Sequence, residues 1–289
     1  MLGERRRSRN ASERGLRDGG VARMNIKILG TGGFFNEGLP CNALAIDGHV
    51  LVETPPDILQ SLFRNGIRLE AIDTVFISHV HGDHCFGFPF FFFNWLKKDT
   101  LRKVSTSEMP PQLLLIGPQG LAERMKALMA YAISPDHSYL KEFDSRVNVI
   151  EIDEGKTISV LGGLWFSFMR TRHSLPTFSL IAGEGDIPAE PEMLRRARFI
   201  YSSDTAMHPG IARLIDSGAG LLLFDTNGEK PGDVHLCAEE LATVMAEVRP
   251  LAMEGDEQEL VVRGTHVSRL PPLSSHGIRF ARDGEEYSV

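Results

Sequence analysis

Cysteine is scarce: Cys41, Cys85 and Cys237 are odd in number, far apart, and form no C-x-x-C pair. That excludes a disulfide framework and fits a reducing, cytoplasmic setting. Also missing is any apolar run near the ~18 residues that a membrane span needs. The most apolar stretch, residues 86–95, is short and is interrupted by Gly87 and Pro89. Positive charge is not in excess either, with 31 Lys and Arg against 38 Asp and Glu, a net charge of −7. Seven of the arginines fall in residues 1–23 against Glu4, Glu13 and Asp18, so the rest of the chain is more acidic still. An acidic body is a poor electrostatic match for a polyanion, which disfavours nucleic acid as a partner. Residues 1–23 lack the apolar centre of a signal peptide and carry too many acids for a transit peptide. They read as a disordered basic tail or a start-codon extension, and residues 24–289 as one domain.

What is present suits an ordinary globular protein, 42% hydrophobic and 24% charged. Strands are predicted over residues 26–29, 43–47, 50–53 and 74–77, with a helix over 57–64 that stops at Asn65-Gly66. Helices follow at 88–97 and 121–132, separated by a strand at 113–116. A β-rich block then holds strands at 147–152, 157–161, 165–171, 178–182 and 199–201. Strands at 221–224, 260–265 and 278–282 complete the pattern, with helices at 211–217 and 238–248. Strands and helices alternate without a repeat or a low-complexity segment, which indicates an α/β protein.

The most informative segment is residues 78–84, Ser-His-Val-His-Gly-Asp-His, directly after a strand. His79 and His81 are two apart, so in extended backbone they share a side. Gly82 supplies a turn, and Asp83 and His84 return as a second pair. Imidazole and carboxylate are the ligands of Zn²⁺ and similar ions, and four such groups are too many for one open catalytic site. The spacing therefore suggests two metals about 3.5–4 Å apart, rather than a polar turn or a single-metal clip.

Further candidates end predicted strands, where α/β architectures place their chemistry. They are His173, Asp204 and His266, with His276 as the rival of His266 in a Pro- and Ser-rich loop. A carboxylate such as Asp204 can span two cations with its two oxygens. His235 precedes the helix at 238–248. His208, four residues past Asp204, reads as an exposed loop residue ahead of the alternative, a support behind a metal ligand, and His49 and His137 have no notable neighbours. Gly30-Thr31-Gly32-Gly33 is a weak phosphate-loop signal with no lysine after it. The aromatics Phe88, Phe90, Phe91, Phe92, Phe93 and Trp95 fall at helical spacing and read mainly as core, or as rings lining an apolar pocket.

Read as H-x-H-x-D-H after a strand, residues 79–84 resemble the signature of the metallo-β-lactamase superfamily, and the likeness runs from Met24 along nearly the whole chain. The resemblance implies a four-layer αββα sandwich with a site at one edge. It also implies that His79, His81 and His173 hold one metal, Asp83, His84 and His266 the other, and that Asp204 bridges them. Zn²⁺ is the expected ion, with Mn²⁺ as the alternative. The nucleophile is then a metal-bound hydroxide, formed from a water that Asp83 orients or deprotonates. His235 resembles the histidine with which ribonuclease Z and related phosphodiesterases steady the scissile phosphate or protonate the leaving oxygen. In this superfamily the glycines at 30–33 shape a turn near the site.

Residues 29–33, Asp204-Thr205, the His235 segment and residues 265–268 point to the ribonuclease Z-like phosphodiesterase branch. Three departures disfavour ribonuclease Z itself. No long basic arm fits between His173 and Asp204, where residues 183–192 are acidic. The Pro-x-Lys-x-Arg-Asn element is replaced by Glu37-Gly38-Leu39-Pro40-Cys41-Asn42, and the upstream His-Glu pair by Phe224-Asp225-Thr226-Asn227. Residues 53–67 look more like the small cyclic-phosphate phosphodiesterases. The expected activity is hydrolysis of a small phosphodiester, linear or cyclic, by a chain compatible with a homodimer. Alternatives are tRNA 3′ processing, lactone or thioester hydrolysis, and a non-catalytic nucleotide-binding protein, whose mark would be a missing ligand.

Overall fold

The apolar runs become strands that are buried on both faces, and this two-sided burial dictates a layered architecture. The computed structural model describes residues 23–103, 112–189, 191–217, 219–248, 260–269 and 274–289. The first six strands are β1 (Asn25–Gly30), β2 (Ala43–Ile46), β3 (Val50–Val52), β4 (Thr74–Phe76), β5 (Leu113–Pro118) and β6 (Val147–Ile152). The next six are β7 (Thr157–Val160), β8 (Leu164–Arg170), β9 (Phe178–Glu184), β10 (Phe199–Tyr201), β11 (Leu221–Asp225) and β12 (Val261–Thr265). A short hairpin, β13 (Ser274–Ser275) and β14 (Ile278–Arg279), precedes β15 (Glu286–Ser288). One sheet has the order β15-β1-β2-β3-β4-β5-β6, the other β12-β11-β10-β9-β8-β7.

Alternate residues of each strand enter different cores. Ile26, Ile28, Leu44, Val52 and Phe76 of the first sheet meet Phe166, Phe168, Leu180, Tyr201 and Leu223 of the second. Phe76 and Phe168 stack across this layer with ring centroids 5.5 Å apart. The intervening residues Leu29, Ala45, Val75 and Leu115 face outward into a helical layer. That layer contains α1 (Ile58–Arg64), the single turn α2 (Gly82–Cys85), α3 (Phe88–Lys103), α4 (Leu121–Ala132) and α5 (Ser138–Arg146). On the other side Trp165, Ile200, Leu222 and Phe224 pack with Ile211 and Leu214 of α6 (Pro209–Ile215) and Leu241 of α7 (Ala238–Glu247). The result is the αββα sandwich that the resemblance implied.

Several boundaries differ from the predicted ones, for physical reasons. The helix predicted at 88–97 continues to Lys103, through polar residues that give no apolar signal. Helix α5 was not predicted; its sequence SYLKEFDSR is mostly polar, and an unusual cap starts it, the His137 ring accepting from Tyr139 N. The Gly82 turn is one turn of helix. Phe88, Phe91, Phe92 and Trp95 are fully or almost fully buried against Phe143 and the first sheet, so these rings are core; Phe90 is exposed. The tail read at residues 1–23 lies, except for Arg23, outside the described residues.

Strands β3 to β6 run parallel, as do β10 to β12. Their C-terminal ends, and that of β8, feed the loops that carry His79, His173, Asp204 and His266. Among the described residues no helix is long and apolar enough to cross a membrane.

Candidate metal centre

All seven candidate ligands converge at this edge of the sandwich. His79 Nε2 lies 3.0 Å from His81 Nδ1, and His173 Nε2 lies 3.2 Å from the same atom. Asp204 Oδ2 stands 3.7 Å from His79 Nε2 and 3.8 Å from His173 Nε2. Three imidazole nitrogens therefore face one another beside one carboxylate oxygen. A second cluster adjoins it, with Asp83 Oδ2 3.1 Å from His266 Nε2 and 3.4 Å from His84 Nε2. The other oxygen of Asp204, Oδ1, is 3.3 Å from His84 Nε2 and 3.5 Å from His266 Nδ1. Each cluster brings its donor atoms within 4.8 Å of one another.

The donor set passes a simple test for metal binding. His84 Nε2, Asp204 Oδ1 and His266 Nδ1 are fully buried and have no aligned hydrogen-bond partner. Buried polar atoms are seldom left this way, and three of them around one point suit a cation. Backbone strain concentrates here too. Glu53, Ser203 and His266 adopt φ of 66°, 56° and 57°, a region that non-glycine residues enter at a cost.

Neighbours fix the ring orientations. His173 Nδ1 donates to the Val234 carbonyl at 3.1 Å, which turns Nε2 inward. His79 Nδ1 rests 3.0 Å from the Ser78 hydroxyl, which accepts from Ser203 Oγ at 2.6 Å. Gly33 packs closely on the site: a Cβ there would lie 2.9 Å from Asn227 Nδ2 and 3.3 Å from His266 Cε1. The glycine loop thus shapes a turn against the site, as expected.

Electrostatics differ across the centre. Burial, reinforced by the neighbouring His84, holds His79 well below the usual histidine range, and burial with His173 lowers His81. Burial opposes charge on His266 as well, but Asp204, Asp225 and Asp83 outweigh it and raise the group to about 10. His84 is raised by Asp204 and Glu53 against its own burial. Asp83 and Asp204, despite burial, are held well below the usual carboxylate range by these histidines.

With this geometry in place, comparison with known proteins places the chain. The profile of the Anti-Pycsar protein Apyc1 family matches residues 24–254. The chain belongs to this family. Anti-Pycsar protein Apyc1 of Paenibacillus harenae is 25% identical over 232 residues, 78% of this chain and 86% of its own. Ribonuclease Z of Bacteroides fragilis is 23% identical over 243 residues, 70% of this chain and 74% of its own. Among solved structures, the metallo-β-lactamase fold protein YhfI of Bacillus subtilis superposes with TM-score 0.63 at 16% identity, covering 92% of this chain and 100% of that one. A diphosphatase of the PhnP family gives 0.62 at 16%, covering 92% and 97%. The fold resemblance read from the H-x-H-x-D-H motif is thereby established.

In this Apyc1-family chain His235 lies between the clusters, its ring 5.3 Å from His173 and 5.4 Å from His266. Its Nδ1 donates to Asp225 Oδ2 at 2.8 Å. Burial lowers its proton affinity, but the Asp225 hydrogen bond and charge reverse this and raise it above the ordinary value. His235, Asp204 and His266 form a third group of converging donors. His276 is exposed in the β13–β14 hairpin and joins none of these groups. His208 corrects an expectation: it is half-buried rather than an exposed loop residue, and Nδ1 caps α6 by accepting from Gly210 N. His49 also has a partner, Asp73, at 3.1 Å.

Three supporting residues escaped the sequence reading. Asp225, at the end of β11, receives Thr205 N and Asn227 N as well as His235. Glu53, fully buried after β3, accepts from Ser78 N at 3.1 Å and lies 3.2 Å from His84 Nδ1. Tyr201 donates to Glu53 at 3.4 Å and accepts from Asn42, which in turn accepts from Thr265 Oγ1 at 2.7 Å. An acid directly closing an all-apolar strand is the signal that could have flagged Asp225 and Glu53.

Proposed function

We propose that this chain hydrolyses a small phosphodiester, cyclic diesters included, at a two-metal centre. The observation that carries the reading is the division of Asp204, one oxygen toward His79 and His173, the other toward His84 and His266. On this reading His79, His81 and His173 hold one ion, Asp83, His84 and His266 the second, and Asp204 both. The imidazole-rich donor set suits Zn²⁺, with Mn²⁺ as the alternative. Bound metals would supply an activated water and neutralise charge on the phosphoryl oxygens.

The protein groups do the rest. Asp83 keeps an ionised oxygen beside His84 and His266, where it can orient the attacking water or take its proton. Asp225 holds His235 Nδ1, which leaves Nε2 free to donate to a phosphoryl oxygen or to the departing alkoxide. Family membership supports hydrolysis of this type, and the PhnP-family diphosphatase has the same fold. The three cysteines are unpaired, consistent with a cytoplasmic setting.

The test is a metal-replete panel of bis-p-nitrophenyl phosphate against lactone and thioester substrates, with elemental analysis of the same preparation. Diester turnover with about two ions per chain is expected. Preferred lactone or thioester cleavage, or at most one ion after reconstitution, would overturn the proposal. A ribonuclease Z reading draws on the Bacteroides fragilis relative. The acidic residues Glu184, Asp186 and Glu192, in the segment where that enzyme's basic arm commonly emerges, argue against it. Poor cleavage of precursor tRNA at physiological salt is therefore expected.

A further inference from the structure

Arg172 directly precedes His173, and Asp233 stands two residues before His235. Opposite charges therefore accompany two histidines whose ring centroids are 5.3 Å apart. The segment that carries His235 is a loop that leaves β11 at Asp225 and reaches α7 at Ala238. Its base is closed where Gly228 N donates to the Leu236 carbonyl at 3.0 Å. Its tip, residues 229–234, is exposed, and Pro231-Gly232 is a turn-forming pair that sends the chain back toward His235. Such a tip buries little apolar surface, so polar contacts set where it lies.

Arg172 supplies the main ones. Its Nη2 donates to Asp233 Oδ1, and its Nη1 to the Met207 carbonyl at 3.4 Å. Its backbone is engaged as well: N donates to Thr205 Oγ1 at 3.4 Å, and O accepts from Ala206 N at 2.8 Å. The next residue, His173, donates from Nδ1 to the Val234 carbonyl at 3.1 Å. One arginine thus joins three loops, those that carry His173, Asp204 and His235. His235 is held from two sides, its ring by Asp225 and its backbone by the contacts at Asp233 and Val234.

We propose that Arg172 and Asp233 are positioning residues, a strap that sets the place of His235 beside the centre without touching substrate. This role rests on the diesterase reading above. The pair is exposed, and an exposed ion pair contributes little to the stability of a fold. Rate is more sensitive, because a displacement of about 1 Å in a group that acts on the transition state can cost about 100-fold. The strap therefore governs turnover more than folding.

The experiment uses Asp233→Ala, a surface change outside the seven candidate ligands, in metal-replete protein with diphenyl phosphate as the diester. Its kcat should fall about fivefold to tenfold, with KM and metal content unchanged, and Asp233→Glu should keep most of the turnover. Added to His235→Ala, the same change should cause no further loss, because the strap acts through that ring. Peptides spanning residues 226–237 should exchange hydrogen for deuterium faster in Asp233→Ala than in the wild type. Losses that multiply in the double variant, a rise in KM alone, or loss of an ion would each overturn the proposal. If no diester is cleaved, the diesterase reading fails by itself and the exchange measurement decides: faster exchange supports the strap, and unchanged exchange overturns it.

Discussion

The two ligand clusters share Asp204 but follow opposite electrostatic plans. Around His81, three imidazole nitrogens converge within 3.0–3.2 Å of one another's nearest neighbour, and the only carboxylate oxygen stands 3.7–3.8 Å away. Around Asp83, each imidazole has an acid close by: Glu53 behind His84, and Asp83 and Asp225 beside His266. The second cluster can hold together as a network of protons and charges. The first relies instead on ring-to-ring contacts at His81 Nδ1, which lies within hydrogen-bond distance of both His79 Nε2 and His173 Nε2, with Asp204 as the nearest acid.

The strongest way to break this contrast is at the shared residue. Asp204→Ala should lower turnover of bis-p-nitrophenyl phosphate by about 10⁴-fold or more and reduce occupancy of both clusters. Elemental analysis showing loss of a single ion would confine Asp204 to one of them. Next in size is His235→Ala, for which both ions should remain while kcat falls by roughly 10²–10⁴. The defect should shrink with a p-nitrophenolate leaving group if His235 supplies a proton, and stay constant across leaving groups if it only steadies charge. Loss of an ion in this variant would instead make His235 a ligand through its convergence with Asp204 and His266.

His173→Ala sharpens the contrast itself. About one ion should be lost per chain, from the His79–His81 side, with the carboxylate-backed cluster still loaded. A loss of both would show that the second cluster depends on the first. The smallest effect is expected at His49, an imidazole–carboxylate pair remote from either cluster. Its hydrogen bond to Asp73 raises its proton affinity in the fold against the opposing effect of burial. Because the folded value is the higher one, the pair's contribution is full below about pH 6.5 and disappears as pH rises through the folded pKa. His49→Gln should therefore cost about 0.5–1 kcal/mol in urea unfolding at pH 5.5 and almost nothing at pH 9.

Legibility in the sequence followed the same division. Residues 79–84 announced themselves because the ligands are contiguous, and His173, Asp204 and His266 because each ends an apolar strand. Glu53 and Asp225 touch rings rather than standing among the candidate ligands, and their one signal in the sequence is that each closes an apolar strand. Layering was not available from periodicity: in β2 every residue is buried, since Leu44 and Ile46 enter one core while Ala43 and Ala45 enter another. Such a strand shows no alternation of polar and apolar residues. Helix α5 escaped for the opposite reason, being short and mostly polar, with an apolar stripe of just Tyr139, Leu140 and Phe143.

The hydrogen-bonded path from Thr265 through Asn42 and Tyr201 to Glu53 runs between the sheets. The sandwich works like a vice, with candidate ligands mounted on opposing jaws, and the close-packed apolar layer between them resists compression. This path acts as the vice's setting screw, tying Asn42 and Glu53 on one sheet to Thr265 and Tyr201 on the other. Loosening it at Asn42, which touches none of the seven ligands, would let the jaws drift with heat. The change would register in how steeply turnover depends on temperature, before any change in how tightly substrate is held.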